Sequence, residues 1–426
     1  MRGWLLFPSR APGSGALLGT SPPGRSALRR LRFVFAFALV VSPAALAGSA
    51  PSQALEPAAT RAGTPTPPTA GSWLRLPSAP IAPSGGVVSV WTGRQMLIFG
   101  RANPDPALPW SADVAAAYNP ATRTWRLLTP FPGPKGNYEG RYWAAWTGKE
   151  MLVVGPSDRQ AFNPVTNRWR RLSKAAGVPG GIVVWTGREL IGWGGGCCGD
   201  ALSDGAAYNP VTNVRRRLAR SPLAPEQRPI GAWTGRELVL FVSGINPASG
   251  KPWPARLARA ASYNPVTDTW RRIAPLPAVR TDPNAVWDGR EVLIVGGTGA
   301  PHRGRHPAPA EIGLAYNPGT NSWRQLPPLE RGRAGAAAVW TGKRLLIWGG
   351  TTSVPSGVKL VTPNRGLAYD PKANSWSPLP RAPLLGRLDP TAVWTGRAMI
   401  FWGGHRPSSS GGRVFADGAA FRPGTP

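Results

Sequence analysis

The chain has little of what disulfide-stapled and membrane-spanning proteins need. Its 426 residues include only 2 Cys and 3 His. The cysteines, Cys197 and Cys198, are adjacent, so a strained vicinal disulfide between them would stiffen one loop without stapling the fold, and free thiols fit equally well. The apolar run at residues 33–41 is far shorter than the roughly 20 residues of a membrane-spanning helix.

Acidic residues are also scarce. Asp and Glu number 20 against 50 Lys and Arg, which gives a formal net charge of +30. Six of the arginines precede residue 47, and without that segment 44 basic residues face 20 acidic ones, a charge of +24. Such a surface attracts polyanions through charge alone, with strong salt dependence.

The N-terminal segment has the order of a secretory signal. A basic stretch at residues 29–32 precedes the apolar run, and Ala45 and Ala47 follow as a small-residue cleavage site. We therefore predict a signal peptide at 1–47, a secreted protein, and an Ala-, Pro- and Thr-rich linker at 48–71. A retained membrane anchor is the alternative, disfavoured by the short run and by Pro43.

The rest of the chain, 72–426, repeats one unit with three marks. The 53 Gly and 50 Pro favour many turns over long helices. The first mark is Trp-Thr-Gly-basic, with Asp288 in place of Thr once, starting at Trp91, Trp146, Trp185, Trp233, Trp287, Trp340 and Trp394. The second is aromatic-Asn-Pro or a variant of it, at Tyr118, Phe162, Tyr208, Tyr263, Tyr316, Tyr369 and Phe421. The third is a Trp seven residues later, at Trp125, Trp169, Trp270, Trp323 and Trp376, with Arg215 in its place once.

Each unit is predicted to be four short strands joined by turns, which is the blade of a β-propeller. Seven copies of the first two marks predict seven blades. The chain stops three residues after Pro423, so the last blade lacks its fourth strand. An extra copy of that strand, beginning at Trp73, precedes the first unit. We therefore expect residues 72–77 to complete the last blade and close the ring, which removes two open sheet edges.

The Gly-Gly, Tyr and Trp pattern of this unit resembles the Kelch motif over residues 72–426. The resemblance implies an all-β, seven-bladed Kelch-type propeller, in which the Tyr and Trp pack between blades. Galactose oxidase shares such a propeller, but its copper-binding residues have no counterparts that can be placed on this sequence. We predict no catalytic residue, no metal site and no cofactor.

The two faces of the propeller should differ. The turns between strands one and two and between strands three and four are short and alike, and they form what we call the constant face. The 2–3 and 4–1 connections differ from blade to blade and form the variable face. Because function on a rigid scaffold usually resides in such loops, we expect ligands to bind at the variable face, around the channel mouth.

The candidate ligand-binding residues are arginines near the start of five blades and aromatic residues of the variable loops. They would suit a glycan or an acidic ligand. Salt bridges between blades and aromatic packing within loops are the structural alternative. The candidates are Trp110, Tyr138, Arg141, Tyr142, Arg228, Trp253, Arg280, Arg333 and Arg387.

Other charged groups are better explained by structure. A basic residue follows the hairpin Gly in every blade and could form an anion-binding ring, but it also suits an exposed turn, and a Glu follows it in four blades. Arginines after the strand-four Trp are spread around the rim, where they block edge pairing, so no specific nucleic acid is predicted. His302, His306 and His405 share the variable face, but no carboxylate partner for a metal can be assigned.

The sequence thus predicts a secreted, monomeric, non-catalytic scaffold that binds a protein, a glycan or an anionic cell-surface polymer. The alternative is a carbohydrate-active enzyme, an oxidase or a sugar epimerase, with its site at the channel mouth. Only the shared fold supports that alternative.

Overall fold

A computed structural model describes residues 71–102, 112–132, 142–155, 159–173, 176–196, 199–299, 308–353, 360–406 and 412–424. This part of the chain is built of strands and turns, with no α-helix, and so contains no helix that could cross a membrane. The predicted signal peptide and linker lie outside the described residues, apart from Gly71, which begins the first strand.

The strands form seven four-stranded antiparallel blades, each in the strand order one to four. The strands of blades one to three are Ser84–Trp91, Met96–Ala102, Ala112–Asn119 and Thr124–Leu127; Trp143–Trp146, Met151–Val154, Arg159–Asn163 and Arg168–Arg171; and Ile182–Trp185, Leu190–Trp193, Gly205–Asn209 and Val214–Arg217. Those of blades four and five are Ile230–Trp233, Leu238–Phe241, Ala260–Asn264 and Thr269–Arg272; and Asn284–Trp287, Val292–Val295, Ile312–Asn317 and Ser322–Pro328. Those of blades six and seven are Ala334–Trp340, Leu345–Ser353, Arg365–Asp370 and Ser375–Arg381; and Thr391–Trp394, Met399–Trp402, Gly418–Pro423 and Gly71–Arg75.

The last three blades have short additional strands on the variable face. Arg280–Thr281 pairs with Thr298–Gly299 in blade five, and His405–Arg406 pairs with Arg413–Val414 in blade seven. In blade six, Leu360–Val361 pairs with the end of strand two. The variable connections of these blades are therefore partly ordered by backbone pairing.

The N-terminal strand closes the ring, as the repeat count predicts. Gly71–Arg75 pairs antiparallel with Gly418–Pro423, placing Trp73 opposite Phe421. The Trp73 indole Nε1 donates to the carbonyl of Pro380 at 2.9 Å, and its ring lies 5.6 Å from that of Phe401. The strand thus completes blade seven and also bonds it to blade six.

The core lies between the blades. Strand two of each blade is buried on both faces, and seven apolar clusters fill the seven interfaces. The strand-four Trp of each blade except blade three donates its Nε1 proton to a carbonyl of the preceding blade, at 2.7–3.2 Å. In blade three, Arg215 Nε makes the equivalent bond to Gly177 at 2.9 Å. The Arg that interrupts the Trp pattern therefore preserves its hydrogen bond.

Candidate functional site at the channel mouth

The channel mouth on the variable face is a cavity of about 700 Å³. All seven blades contribute to it, through the first residues of strand one and the residues just before them. These segments lead into strand one of each blade, which pairs with the fully buried strand two. The mouth therefore has a rigid wall with loop residues at its rim.

The rim carries one ion pair and one contact between a histidine and an aspartate. Arg228 Nη1 lies 2.7 Å from Asp282 Oδ2 and joins blades four and five. His405 Nδ1 lies 3.8 Å from Asp389 Oδ2. All four side chains are between 41% and 66% exposed, so each remains accessible to a ligand.

The two aspartates occupy a turn with unusual backbone geometry. Asp282 and Asp389 have φ of 49° and 48°, and glycines 86 and 335 occupy the same position in blades one and six, with φ of 59° and 66°. Asp is one of the few residues besides Gly that tolerates this left-handed region. Both aspartates were missed as site residues, although the Arg-x-Asp motif that contains each of them was visible in the sequence.

Three predicted site arginines are buried instead of facing the mouth. Arg280, Arg333 and Arg387 are 9%, 7% and 0% exposed. Each donates to the carbonyl at the end of strand two and to the one at the start of strand three in its own blade. For Arg333 both of these bonds are 2.9 Å long. A ligand in the mouth would not reach these guanidinium groups, so the prediction that they line the mouth needs correction: they clamp the 2–3 connection.

Burial lowers the pKa of all three arginines. Removal from water disfavours the charged form, which lowers the pKa of Arg280, Arg333 and Arg387, that of Arg333 to about 10. Asp417, whose Oδ1 lies 2.6 Å from Arg387 Nη1, opposes this effect in blade seven. The ring of Phe415 also lies 4.0 Å from the Arg387 guanidinium carbon.

The remaining candidate ligand-binding residues lie in different places. Arg228 and Tyr142 line the mouth, but Tyr142 is only 7% exposed and packs edge-on against Phe99, with ring centroids 5.1 Å apart. Trp253 belongs to the 2–3 connection of blade four and packs against the cluster between blades three and four. Trp110, Tyr138 and Arg141 lie outside the described residues, as do Cys197, Cys198, His302 and His306. Within the described ranges, no three His, Cys, Asp or Glu side chains come together as a metal site would require.

Comparison with known proteins agrees with this architecture. Kelch-like protein 25 of Xenopus tropicalis is 29% identical over 145 residues, 33% of this chain and 24% of that protein. An F-box/kelch-repeat protein of Arabidopsis thaliana is 27% identical over 157 residues, 33% of this chain and 41% of that protein. The chain is a Kelch-type seven-bladed β-propeller. The matches span less than half the length of either relative, and no family model matches the chain.

A solved structure resembles this Kelch propeller over most of its length. A fungal alcohol oxidase of the AA5 family, determined in complex with copper, superposes with a TM-score of 0.59 over 83% of this chain and 76% of that one. The two sequences are 15% identical, so the likeness concerns the fold alone. The chemistry of this propeller must be argued from its own mouth, where Arg228, Asp282, Asp389 and His405 line one cavity.

Proposed function

We propose that this Kelch propeller is an extracellular scaffold that binds a protein partner through the channel mouth and the loops around it. The observation that supports this proposal is the rim, where exposed side chains of both charges lie on a propeller whose 2–3 connections in blades five to seven are held by buried arginines. A preformed rim costs little entropy to order on binding. The Kelch-repeat relatives likewise suggest a protein-interaction scaffold.

The charge of the rim favours a protein over an acidic glycan or polymer. Asp282 and Asp389 would repel a polyanion, whereas a protein surface of mixed charge can pair with both signs. The extracellular location rests on the N-terminal signal pattern. The enzymatic alternative is supported by the oxidase fold alone.

Site-directed photocrosslinking would test this proposal. A benzophenone amino acid in place of Asp389 reports on the mouth, and one in place of Val211, which is 89% exposed on the constant face, serves as the matched control. Incubation with proteins secreted by the source organism should give a discrete adduct from position 389 that excess unlabelled chain suppresses. The captured protein, once purified, should bind the charge reversals Arg228→Glu and Asp389→Lys at least tenfold more weakly. Equal adducts from both positions, or unchanged affinity of both reversals, would reject the mouth as the binding surface.

A further inference from the structure

The constant face is not uniform in charge. In blades two to five, a Glu follows the basic residue of the first hairpin and pairs with the strand-four Arg of the same blade. The pairs are Arg170–Glu150, Arg216–Glu189, Arg271–Glu237 and Arg324–Glu291, with N–O distances of 2.6–3.2 Å. In blade six, Arg344 pairs with Asp370 at 3.1 Å.

Blades one and seven lack this carboxylate. Gln95 and Ala398 occupy the position of the Glu. Blade seven departs twice more, because Leu74 replaces the strand-four Arg and Arg422 replaces the Asn of the aromatic-Asn-Pro turn. In blade seven, Ala398 thus removes the carboxylate, Leu74 removes the arginine that would pair with it, and Arg422 adds a cation.

These changes surround one cavity, which we call the cationic pocket. It has a volume of about 1080 Å³ and lies over the constant face of blades seven, one and two. Four basic residues line it and no acidic residue does: Arg94, Lys149, Arg397 and Arg422. All four side chains are exposed, and within the described residues none has a hydrogen bond or ion pair. By contrast, the cavity of about 490 Å³ at blades five and six contains Asp288 and Glu291 beside its arginines.

Four neutral polar side chains of the pocket already accept a hydrogen bond within their own turns. Thr92 Oγ1 accepts from the Gln95 amide at 2.9 Å, and Asn119 Oδ1 accepts from the Ala121 amide at 3.0 Å. Thr395 Oγ1 and Asn163 Oδ1 accept in the same way from Ala398 and Val165, both at 2.9 Å. Other neutral polar groups, such as those of Gln95 and Thr166, also line the pocket, but its four cations favour an anionic ligand over a neutral sugar.

The rest of the lining is apolar. Trp91 and Trp146, both partly buried, lie beside Leu74 and Ile400. A suitable ligand must bring negative groups for the rim and apolar groups for the lining, and it does not need many hydroxyl groups. An extended peptide that combines Asp or Glu with aliphatic or aromatic side chains meets these conditions.

We propose that the cationic pocket is a second binding site, on the face opposite the mouth, for an acidic peptide segment of a protein partner. Carboxylates of the peptide pair with Arg94, Arg397 and Arg422, and its apolar side chains contact Trp91 and Trp146. The site is independent of the mouth and of whatever binds there.

The test measures anisotropy of a fluorescein-labelled peptide of alternating glutamate and leucine, at about 0.15 M salt, where the Debye length is about 8 Å. Replacing Arg94, Arg397 and Arg422 by Ala should raise the Kd about tenfold, because an exposed ion pair contributes about twofold and three are removed together. The matched control replaces Arg188, Arg236 and Arg290, which occupy the hairpin position of Arg94 and Arg397 in blades three to five. It changes net charge equally and should alter the Kd by less than about twofold.

Two further variants sharpen the result. Gln95→Glu restores the carboxylate of blades two to five without removing a cation, and it should weaken the peptide about threefold. Arg228→Glu, at the mouth, should leave peptide binding unchanged. Equal weakening by both triple variants, no binding to the unaltered chain, or a sulfated oligosaccharide that binds more tightly than a peptide of equal charge would overturn the proposal.

Discussion

Arg387 should be a structural clamp whose loss destabilises the propeller without touching a ligand. Its guanidinium is 0% exposed and donates to Gly403 at 3.1 Å and to the Asp417 carboxylate at 2.6 Å. In Arg387→Met these acceptors lose their donor, and removing one partner of a buried pair costs about 3–5 kcal/mol. We expect the low end, about 3 kcal/mol, because Asp417 is 31% exposed and keeps Arg75 at 3.1 Å, and because Arg387 Nη2 has no partner among the described residues.

Urea unfolding followed by Trp fluorescence measures this loss as a lower midpoint with an unchanged slope. Arg381→Met, at an exposed arginine in strand four of blade six, is the matched control and should stay within about 0.5 kcal/mol. Arg387→Lys should lie between the two, because an ammonium cannot reproduce the planar fork of donors. If Arg387→Met unfolds like Arg381→Met but loses affinity for the mouth ligand, the clamp assignment fails and a direct ligand contact must replace it.

Three further outcomes are expected. A chain that begins at Ala79 lacks the closing strand and should melt far below one that begins at Gly71; equal melting temperatures would contradict ring closure. Arg215→Ala should cost about 1 kcal/mol, because it loses the bond to Gly177, whereas Arg215→Trp should retain most stability by calorimetry, as the indole makes this bond in the other blades. Burial alone would raise the pKa of Asp370, but hydrogen bonds from the Ala373 and Lys372 amides and from Arg344 outweigh burial and lower that pKa. The ionised carboxylate therefore stabilises the fold above about pH 4, and this contribution fades as the pH falls further. The free energy of unfolding of Asp370→Asn should accordingly depend less on acid than that of the unaltered chain.

The fold was predictable because each blade needs the same few residues at the same spacing. The Trp-Thr-Gly turn and the aromatic-Asn-Pro turn, with their variants, recur in seven blades and the later Trp in six, and the missing last strand pointed to Trp73. Arg215 could be recognised only as a break in this pattern. That its Nε takes over the indole bond depends on atomic positions that spacing does not specify.

The site was harder to predict because a left-handed turn lies within the motif. Spacing correctly placed residues 280 and 282 in the same 4–1 connection. The positive φ at Asp282 falls between the antiparallel paired segments Arg280–Thr281 and Asn284–Trp287, and there Arg280 is buried in the blade whereas Asp282 lines the mouth. In blade four the clamp position holds Glu226, whose Oε2 accepts from the Ser243 amide at 2.8 Å. A carboxylate that accepts hydrogen bonds and a guanidinium that donates them thus hold equivalent loops. The residue types alone did not show that they share this role.

The large positive charge of this propeller therefore does not act as one diffuse field. Arg333 donates to carbonyls inside its blade, Arg387 pairs with Asp417, and Arg170 and Arg324 pair with glutamates on the constant face. Where blades one and seven lack that glutamate, four exposed cations line one pocket that contains no acidic side chain. Since potentials at a surface depend on local balance more than on net charge, anionic partners should be drawn to the cationic pocket. The mixed rim of the mouth would then be left to select a partner by shape and paired charge.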